Sequence, residues 1–445
     1  MMYKLPPIRL PPPPPRRHIG GSLMDGLTDS QLNTVPTTKR NEEGNSEIHV
    51  SRKRTKVINV RSQPYYLMIC QSLESNISSL PDDIVFDILV QLPAQDIYSA
   101  VRPVCRKWYQ MIHTHKFVNT HLHHSTYGLL LQKQVSISTQ LTFVSLSRQG
   151  EIELTRLNYK PEHSLWCSSS NGLILECERR KESTLYISNP VTMQRFSLPR
   201  PDYSSAGMGF CFSAIAYASL PMEYKVVRVY YTAQRRTCII LTVGVDKSWR
   251  LICTQHLSLK ATKNLRFSPL TTEGFVHWAK AKSGKYVLTL NVETEIIKEY
   301  PVPSSASSSV GGVYYFSTVK YLSMLIRRGG WAWEVWEMKP ETGEWTQLPE
   351  IDLEDRMCDI FWRIRERYTP FRSFIYIRIC LFPVGWLEYK EVLLYRVRCP
   401  HTGQRLNTWI AWNILLKEIE FIKLDFDLDG FFVHRNSLLW LDGSC

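Results

Sequence analysis

The sequence predicts an α+β multidomain chain: a disordered N-terminal tail, a small three-helix unit, and a long all-β domain of propeller-like architecture. Three observations predict it. Residues 1–76 are rich in Pro, Ser, Thr, Asn and charge and lack a sustained apolar period. Residues 77–125 carry apolar side chains at helical spacing between prolines. From residue 126 onward, short β-branched and aromatic runs alternate with Gly, Asn, Pro and Ser.

The totals fit such a division. A chain of 445 residues exceeds one small core, and 44% hydrophobic with 12% aromatic content supplies large ones. No apolar run reaches the roughly 18 residues a membrane-spanning helix needs, and the greasiest window, "GVYYFSTVKYLSMLI", is cut by Lys320. Proline occupies the place of an apolar signal core in "MMYKLPPIRLPPPPPRRH", which argues against secretion. The 11 cysteines are odd in number and form no CxxC, so they read as reduced thiols of cytosol or nucleus, mostly buried as small hydrophobes. A net charge of +13 invites a nucleic-acid partner, yet about five of the excess charges fall in the first eighty residues and the rest are spread thinly. A solvated basic surface is the simpler reading.

In the tail, Pro11 to Pro15 favour a polyproline II rod that an aromatic groove could hold, or an inert spacer. Lys39 and Arg40, then Arg52, Lys53, Arg54 and Lys56 after an eleven-residue spacer, resemble a bipartite nuclear import signal. This predicts a location in nucleus, cytoplasm or both.

The helical unit starts at "LPDDIVFDILVQLP". Pro81 suits a first helical turn, and Asp82 and Asp83 meet the positive end of the helix dipole. Ile84, Val85, Ile88, Leu89 and Leu92 form one apolar stripe that Pro93 ends. A second helix, "AQDIYSAV", has Ile97, Ala100 and Val101 on one side, and Pro103 opens a third with Val104, Trp108 and Ile112 aligned. Three helices in some thirty-five residues bury little, so the unit needs a partner, a following domain, or both. A helix-turn-helix with Arg102, Arg106 and Lys107 toward phosphate is the alternative. His113, His115, His121, His123 and His124 cluster next, but no Cys or carboxylate stands at zinc-site spacing, so they read as a polar connector rather than a metal site.

The β domain repeats internally. "STLYISNPVTMQRFSLP", "YVLTLNVETEIIKEYPVP" and "WEVWEMKPETGEWTQLP" each give a strand, a polar turn, a second strand and a closing Pro. Weaker copies are "TFVSLSRQGEIELTRL", "IILTVGVDKSWRLI" and "WIAWNILLKEIEFIKL". A period of about 40 to 60 residues suits four-stranded propeller blades of the kelch type, and six units could close a ring. A β-sandwich is the alternative. "PSSASSSVGG", Pro303 to Gly312, reads as a flexible inter-strand loop.

Two resemblances sharpen this. "LPDDIVFDILVQLPAQDIYSAVRPVCRKWYQMI", with "KFVNTHLHHS" after it, resembles the F-box, although Pro103 stands where that family more often has Cys or a small residue. The resemblance implies docking on a Skp-type adaptor, and through it on a cullin scaffold. By position it places the contacts at Leu80, Pro81, Ile84, Leu89, Leu92, Pro93, Val104, Cys105 and Trp108. "CSSSNGLILECE", "YISNPVTMQRFSLP", "YKVVRVYY", "SWRLI", "GFVHWA" and "WEVWEM" are similar to the plant F-box-associated domain, with extra serines in the first. Together the resemblances imply the substrate-recognition subunit of a ubiquitin ligase, with domains at 1–76, 77–125 and 126–445.

No GxSxG, HExxH, GxxxxGKS or GxGxxG occurs, so the reading assigns no catalytic, metal or cofactor residue. Expected partners are the adaptor and an unidentified protein target, with no membrane. Trp331, Trp333 and Trp336 near Gly329 and Gly330 could form a recognition patch for that target, or one packed face of a strand. A nuclear nucleic-acid-binding protein with a helical reader and basic arm is the competing function, and an enzyme on a propeller scaffold is a third.

Overall fold

The outer half of most blades follows one local rule. A buried strand ends in a residue that anchors a tight turn, and a left-handed residue four positions later reverses the chain. Asn189 Oδ1 accepts the Val191 N–H at 2.9 Å, with Met193 at φ 58°. Asn291 Oδ1 accepts from Glu293 and Thr294 at 2.8 and 3.0 Å, with Glu295 at φ 58°. Asn413 Oδ1 accepts from Leu416 at 2.9 Å, with Lys417 at φ 54°. Asn suits such a site because its short amide mimics a backbone turn. In the fifth repeat Gly343 takes the left-handed place at φ 75°, and a Cβ there would lie 2.0 Å from the Tyr300 ring. Both backbone and packing demand glycine there.

The computed structural model describes residues 80–441 apart from 136–137, 148, 160–163, 179–183, 202–211, 221, 232–235, 281–283, 309–311, 369–378, 399–407 and 424–429. Pro11 to Pro15 and the basic clusters from Lys39 to Lys56 lie outside the described residues.

Six four-stranded antiparallel sheets form the β domain. Blade 1 holds Tyr127–Val135, Ser138–Leu146 and Ile152–Leu157; blade 2 holds Ser164–Ser170, Leu173–Glu178, Leu185–Asn189 and Gln194–Ser197. Blade 3 holds Phe212–Ala218, Glu223–Tyr231, Arg236–Thr242 and Arg250–Ile252; blade 4 holds Leu270–Thr272, Phe275–Ala279, Tyr286–Asn291 and Ile296–Pro301. Blade 5 holds Val313–Ser317, Leu322–Gly329, Ala332–Met338 and Trp345–Asp352; blade 6 holds Cys380–Glu388, Val392–Arg398, Thr408–Asn413 and Glu418–Lys423. The inner strand of blade 1 is the last strand, Gly430–Arg435, which pairs with Tyr127–Val135 in the register Gly128 to His434. Inner strands touch their neighbours in a closed circuit, so the domain is a six-bladed propeller rather than a sandwich. The six repeats seen in the sequence are the third and fourth strands of the six blades.

Blades are welded at their outer edges. Trp249 Nε1 of blade 3 donates to the Pro199 carbonyl beyond blade 2 at 2.8 Å, and Trp345 Nε1 of blade 5 donates to Pro301 O of blade 4 at 2.9 Å. The closing Pro of a repeat thus carries the acceptor for the next blade. Lys225 and Arg250 of blade 3 both bind Glu295 of blade 4, at 2.8 and 2.5 Å, and these bonds hold the Glu295 carboxyl below its ordinary range. The Y-K-V-V and W-R signatures are therefore seam residues. Trp278, Trp333 and Trp409 are fully buried between and within sheets. Burial of one such side chain contributes roughly 1.5–3 kcal/mol.

"PSSASSSVGG" is not wholly a loop, because Ser304–Ser308 forms a helical turn, with Ala306 N–H bonded to Pro303 O at 3.0 Å and its side chain buried. A small apolar residue in a serine run suffices to seat it. The described cysteines are free, but Cys105, Cys253 and Cys358 are exposed and Cys238 alone among them is fully buried, where burial pushes its thiol up to about 12. The expectation of mostly buried thiols fails for those three.

Asn171 and Gly172 make a two-residue turn with φ 49° and 86°, the sign pattern that hairpin strand twist requires. A Cβ on Gly172 would lie 2.0 Å from Ser437 Oγ and 3.0 Å from Arg435 O. Gly172→Ala is expected to cost roughly 2 kcal/mol from the left-handed backbone, plus displacement of the residues after the closing strand. A urea titration matching the parent midpoint would contradict this.

Candidate functional site

Four helices precede the propeller where the sequence predicts three. α1 is Asp82–Val90, and α2 runs through 94–101, ending as a π-turn in which Arg102 N–H reaches Ile97 O at 2.9 Å. α3 is Arg106–Ile112 and α4 is His115–His124. Pro103 does not open α3; Cys105, fully extended, is its N-cap, with Sγ accepting the Trp108 N–H at 3.4 Å. The expected polar connector is α4, whose histidines mask an apolar face of Phe117, Val118 and Leu122. Thr114 caps it, accepting the Phe117 N–H at 3.2 Å.

The α1 stripe divides into two edges. Val85 and Leu89 turn inward with Val90 and pack with Ile97, Ile112 and Phe117. Ile84 and Ile88, one turn apart, remain 44% and 51% exposed. A residue step rotates a helix by about 100°, so neighbours 84 and 85 open two adjacent faces. Leu89, expected at the partner surface, is 3% exposed and belongs to the core. Leu92 and Trp108 are half-buried against that core, while Leu80, Pro81, Pro93, Val104 and Cys105 are exposed. Ile88 is exposed as well and is not among the contacts that the resemblance implies, whereas Tyr109, also exposed, stacks on His113 at 4.1 Å on the side that meets Trp440. Lys107 pairs with Asp82 across α1 and α3, bringing the start of α1 beside the start of α3. Leu80, Ile84, Ile88 and Val104 thus leave exposed apolar area at the end where the Asp82–Lys107 pair joins α1 to α3.

Of Arg102, Arg106 and Lys107, the cations of the alternative phosphate-facing helix, Arg102 and Lys107 are otherwise engaged. The Arg102 guanidinium lies 4.9 Å from the Tyr98 ring centroid and 5.7 Å from that of Trp440. In the histidine run, His121 is buried and its Nε2–H donates to Leu92 O at 2.9 Å, tying α4 to the end of α1. Burial lowers its pKa, which keeps the ring neutral. Among the described residues no three His, Cys, Asp or Glu side chains converge as a metal site.

The inner side of the helices rests on the residues after the closing strand. Leu438 and Val191 of blade 2 enter the helical core. His113 stacks on Trp440 at 4.0 Å between centroids, and Asn189 Nδ2 holds the carbonyls of Ser437 and Leu439 at 3.1 and 2.8 Å. Arg435 bridges both parts, donating to Leu122 O at 2.9 Å and to Asn171 Oδ1 at 2.6 Å.

On the propeller, Trp331 and Trp333 are 5% and 0% exposed, packed with Ile360, Ile364 and Tyr395. Burial removes both from any recognition patch. Trp336 is half-buried with Nε1 donating to Glu334 at 2.8 Å. Leu129, Ser168, Thr271, Phe316, Gly385 and Phe432, from five of the six blades, help line a pocket of about 40 Å³ near the ring axis.

Comparison with known proteins agrees with both parts. The family described as "F-box associated beta propeller domain" matches residues 129–353, and the "F-box-like" family matches residues 77–123. An F-box protein of Arabidopsis thaliana is 24% identical over 229 residues, 46% of this chain and 71% of that one. A second is 30% identical over 184 residues, 39% of this chain and 44% of that one. F-box protein CPR1 of the same plant is 29% identical over 161 residues, 34% of this chain and 38% of that one. The chain thus spans less than half the length of the latter two.

Proposed function

Because the chain belongs to the F-box associated beta propeller domain family and carries an F-box-like helical unit ahead of it, we propose that it is the substrate-recognition subunit of a Skp-cullin-F-box ubiquitin ligase. The observation that carries this reading is the divided α1 stripe, where Leu89 secures the unit while Ile84 and Ile88 stay uncovered. An apolar centre with a charged rim is what a stable helical interface uses. The adaptor occupies that outer surface, and the cullin scaffold follows through the adaptor.

The target protein is held by the propeller. Recognition is assigned to the exposed connections between its strands. The chain itself performs no covalent step in ubiquitin transfer; it raises the effective concentration of a target lysine near ubiquitin carried by another subunit. Proteasomal degradation of the target is the expected outcome. The two basic clusters of the tail support a location that includes the nucleus.

The test is co-purification of the full chain with a Skp-type adaptor. The Ile84→Asp/Ile88→Asp double variant is expected to lose about 1,000-fold in adaptor affinity with its melting temperature unchanged, since two central apolar contacts at about 2 kcal/mol each sum to about 4 kcal/mol. Leu89→Asp is expected to unfold the helical unit instead. Undiminished adaptor binding by the double variant would rule out this surface. Steep salt-dependent DNA binding without adaptor binding would favour the nucleic-acid reading.

A further inference from the structure

Antiparallel pairing puts the turn between the second and third strands of each blade at one rim of the ring and the other turns at the opposite rim. The helices hold the second rim, because Asn171 and Val191, which meet Arg435 and the helical core, lie in the two turns of blade 2 there. The first rim is cationic. Lys133, Arg236, Lys285, Arg328 and Arg398 stand at it in blades 1, 3, 4, 5 and 6, all exposed or half-exposed, and Glu178 takes the equivalent place in blade 2. Arg328 is paired with buried Glu334 at 2.5 Å. Carboxylates lead among the described residues in the turns of the other rim, with Glu273, Glu293 and Glu295 in blade 4 and Glu341 and Glu344 in blade 5. The fold thus sorts onto one rim, away from the helices, charge that the sequence spreads thinly.

Charge gathers most between blades 3 and 4. Leu257, Ala261 and Leu265 of the connection between these blades are buried in the core the two share, and Asn264 Nδ2 donates to Tyr286 O at 2.7 Å, next to Lys285. That anchoring leaves Lys260, Lys263 and Arg266 exposed, with Leu259 85% exposed among them. Glu299 is engaged by Ser258, whose Oγ donates to it at 2.9 Å. We propose that this cationic rim, centred on Lys260, Lys263 and Lys285 with Leu259 as an apolar anchor, binds an acidic segment of the target protein. The proposal rests on the reading of the chain as a substrate receptor and gives its target a chemistry: carboxylates set about an apolar side chain, which complements an apolar anchor bordered by charge. A nucleic acid instead follows a continuous cationic track with aromatic rings on which its bases stack. Here the cations are spaced from blade to blade around a ring, and the exposed large side chain among the densest of them is aliphatic. Target and adaptor are then held on opposite sides of the ring and do not compete.

Fluorescence anisotropy on the full chain at about 0.15 M salt tests this with two labelled probes, a peptide of glutamates interrupted by leucine and an oligothymidylate of equal charge. The peptide is expected to bind more tightly, and Lys260→Glu/Lys263→Glu/Lys285→Glu to weaken it by more than about tenfold. The same charge change on the opposite rim, Lys247→Glu/Lys320→Glu/Lys339→Glu, should leave it within about twofold. Leu259→Ser should weaken the peptide about threefold and leave the oligothymidylate as it was. Unchanged melting temperatures show each variant folded. Equal losses from the two triple variants, or tighter binding of the oligothymidylate, would overturn the proposal. Adaptor capture is read on the same preparations: its failure in the parent chain removes the receptor reading, whereas peptide binding that depends on the cationic rim still supports the acidic-segment site.

Discussion

Arg435→Met is expected to lower stability by roughly 3–5 kcal/mol, more than a typical single substitution removes. Arg435 ends the closing strand and is 6% exposed. Its two terminal nitrogens serve the Leu122 carbonyl at 2.9 Å and the Asn171 amide oxygen at 2.6 Å, and its guanidinium lies 4.6 Å from the Tyr127 ring centroid. Burial holds its pKa below the usual arginine range, so desolvation of the cation is tolerated for the bonds it makes. Methionine fills similar volume but donates nothing, leaving the end of α4 and the blade 2 hairpin without their shared donor. Arg435→Lys can satisfy one acceptor well and should recover part of the loss. Melting within about 1 °C of the parent protein would show that the bridge contributes little.

Acidification is the second large effect. His277 is fully buried between Thr272 and Thr289, whose hydroxyls lie 2.9 and 3.0 Å from its ring nitrogens. His434 is buried beside Ser169 at 2.7 Å. Desolvation lowers both to about 3 from an ordinary 6.5. The fold therefore favours neutral rings, and the unfolded chain binds protons first. The resulting stability is complete above pH 6.5 and is lost as pH falls toward 3, at roughly 1.4 kcal/mol per unit for each ring. From pH 7 to pH 5 the pair should cost roughly 4 kcal/mol, and His121 acts in the same direction. Asp96, Glu388 and Glu420, raised by burial, oppose this only as they begin to titrate near their own range. Urea midpoints at pH 7, 6 and 5 measure the slope, and His277→Gln should flatten it by about half. A midpoint constant from pH 7 to 5 would refute the account.

The fold is legible in the sequence where one local device recurs. Asn189, Asn291 and Asn413 announce their turns, and every outer hairpin has a visible copy. Ring closure is not legible, because pairing Gly128 with His434 joins the two ends of the β domain and no local pattern encodes it. At the partner surface the apolar stripe of α1 is evident, yet periodicity does not say which edge faces inward; Phe117 of α4 and Leu438 decide that by covering Val85 and Leu89. For the same reason Trp331 and Trp333 read as a surface patch or a packed face until the helix Met357–Tyr368 is seen packing on them with Ile360 and Ile364.

Leu438 and Trp440 seat the helices that begin at Asp82. During synthesis those helices emerge several hundred residues before their support exists. At about 5–20 residues per second, the interval is on the order of tens of seconds. Throughout it the helices have no fixed direction relative to the ring. A chain that stalls or is clipped before Leu438 would carry the helices without the residues that seat them. Seating the first helices on residues that follow the last strand makes their docking one of the last events of folding.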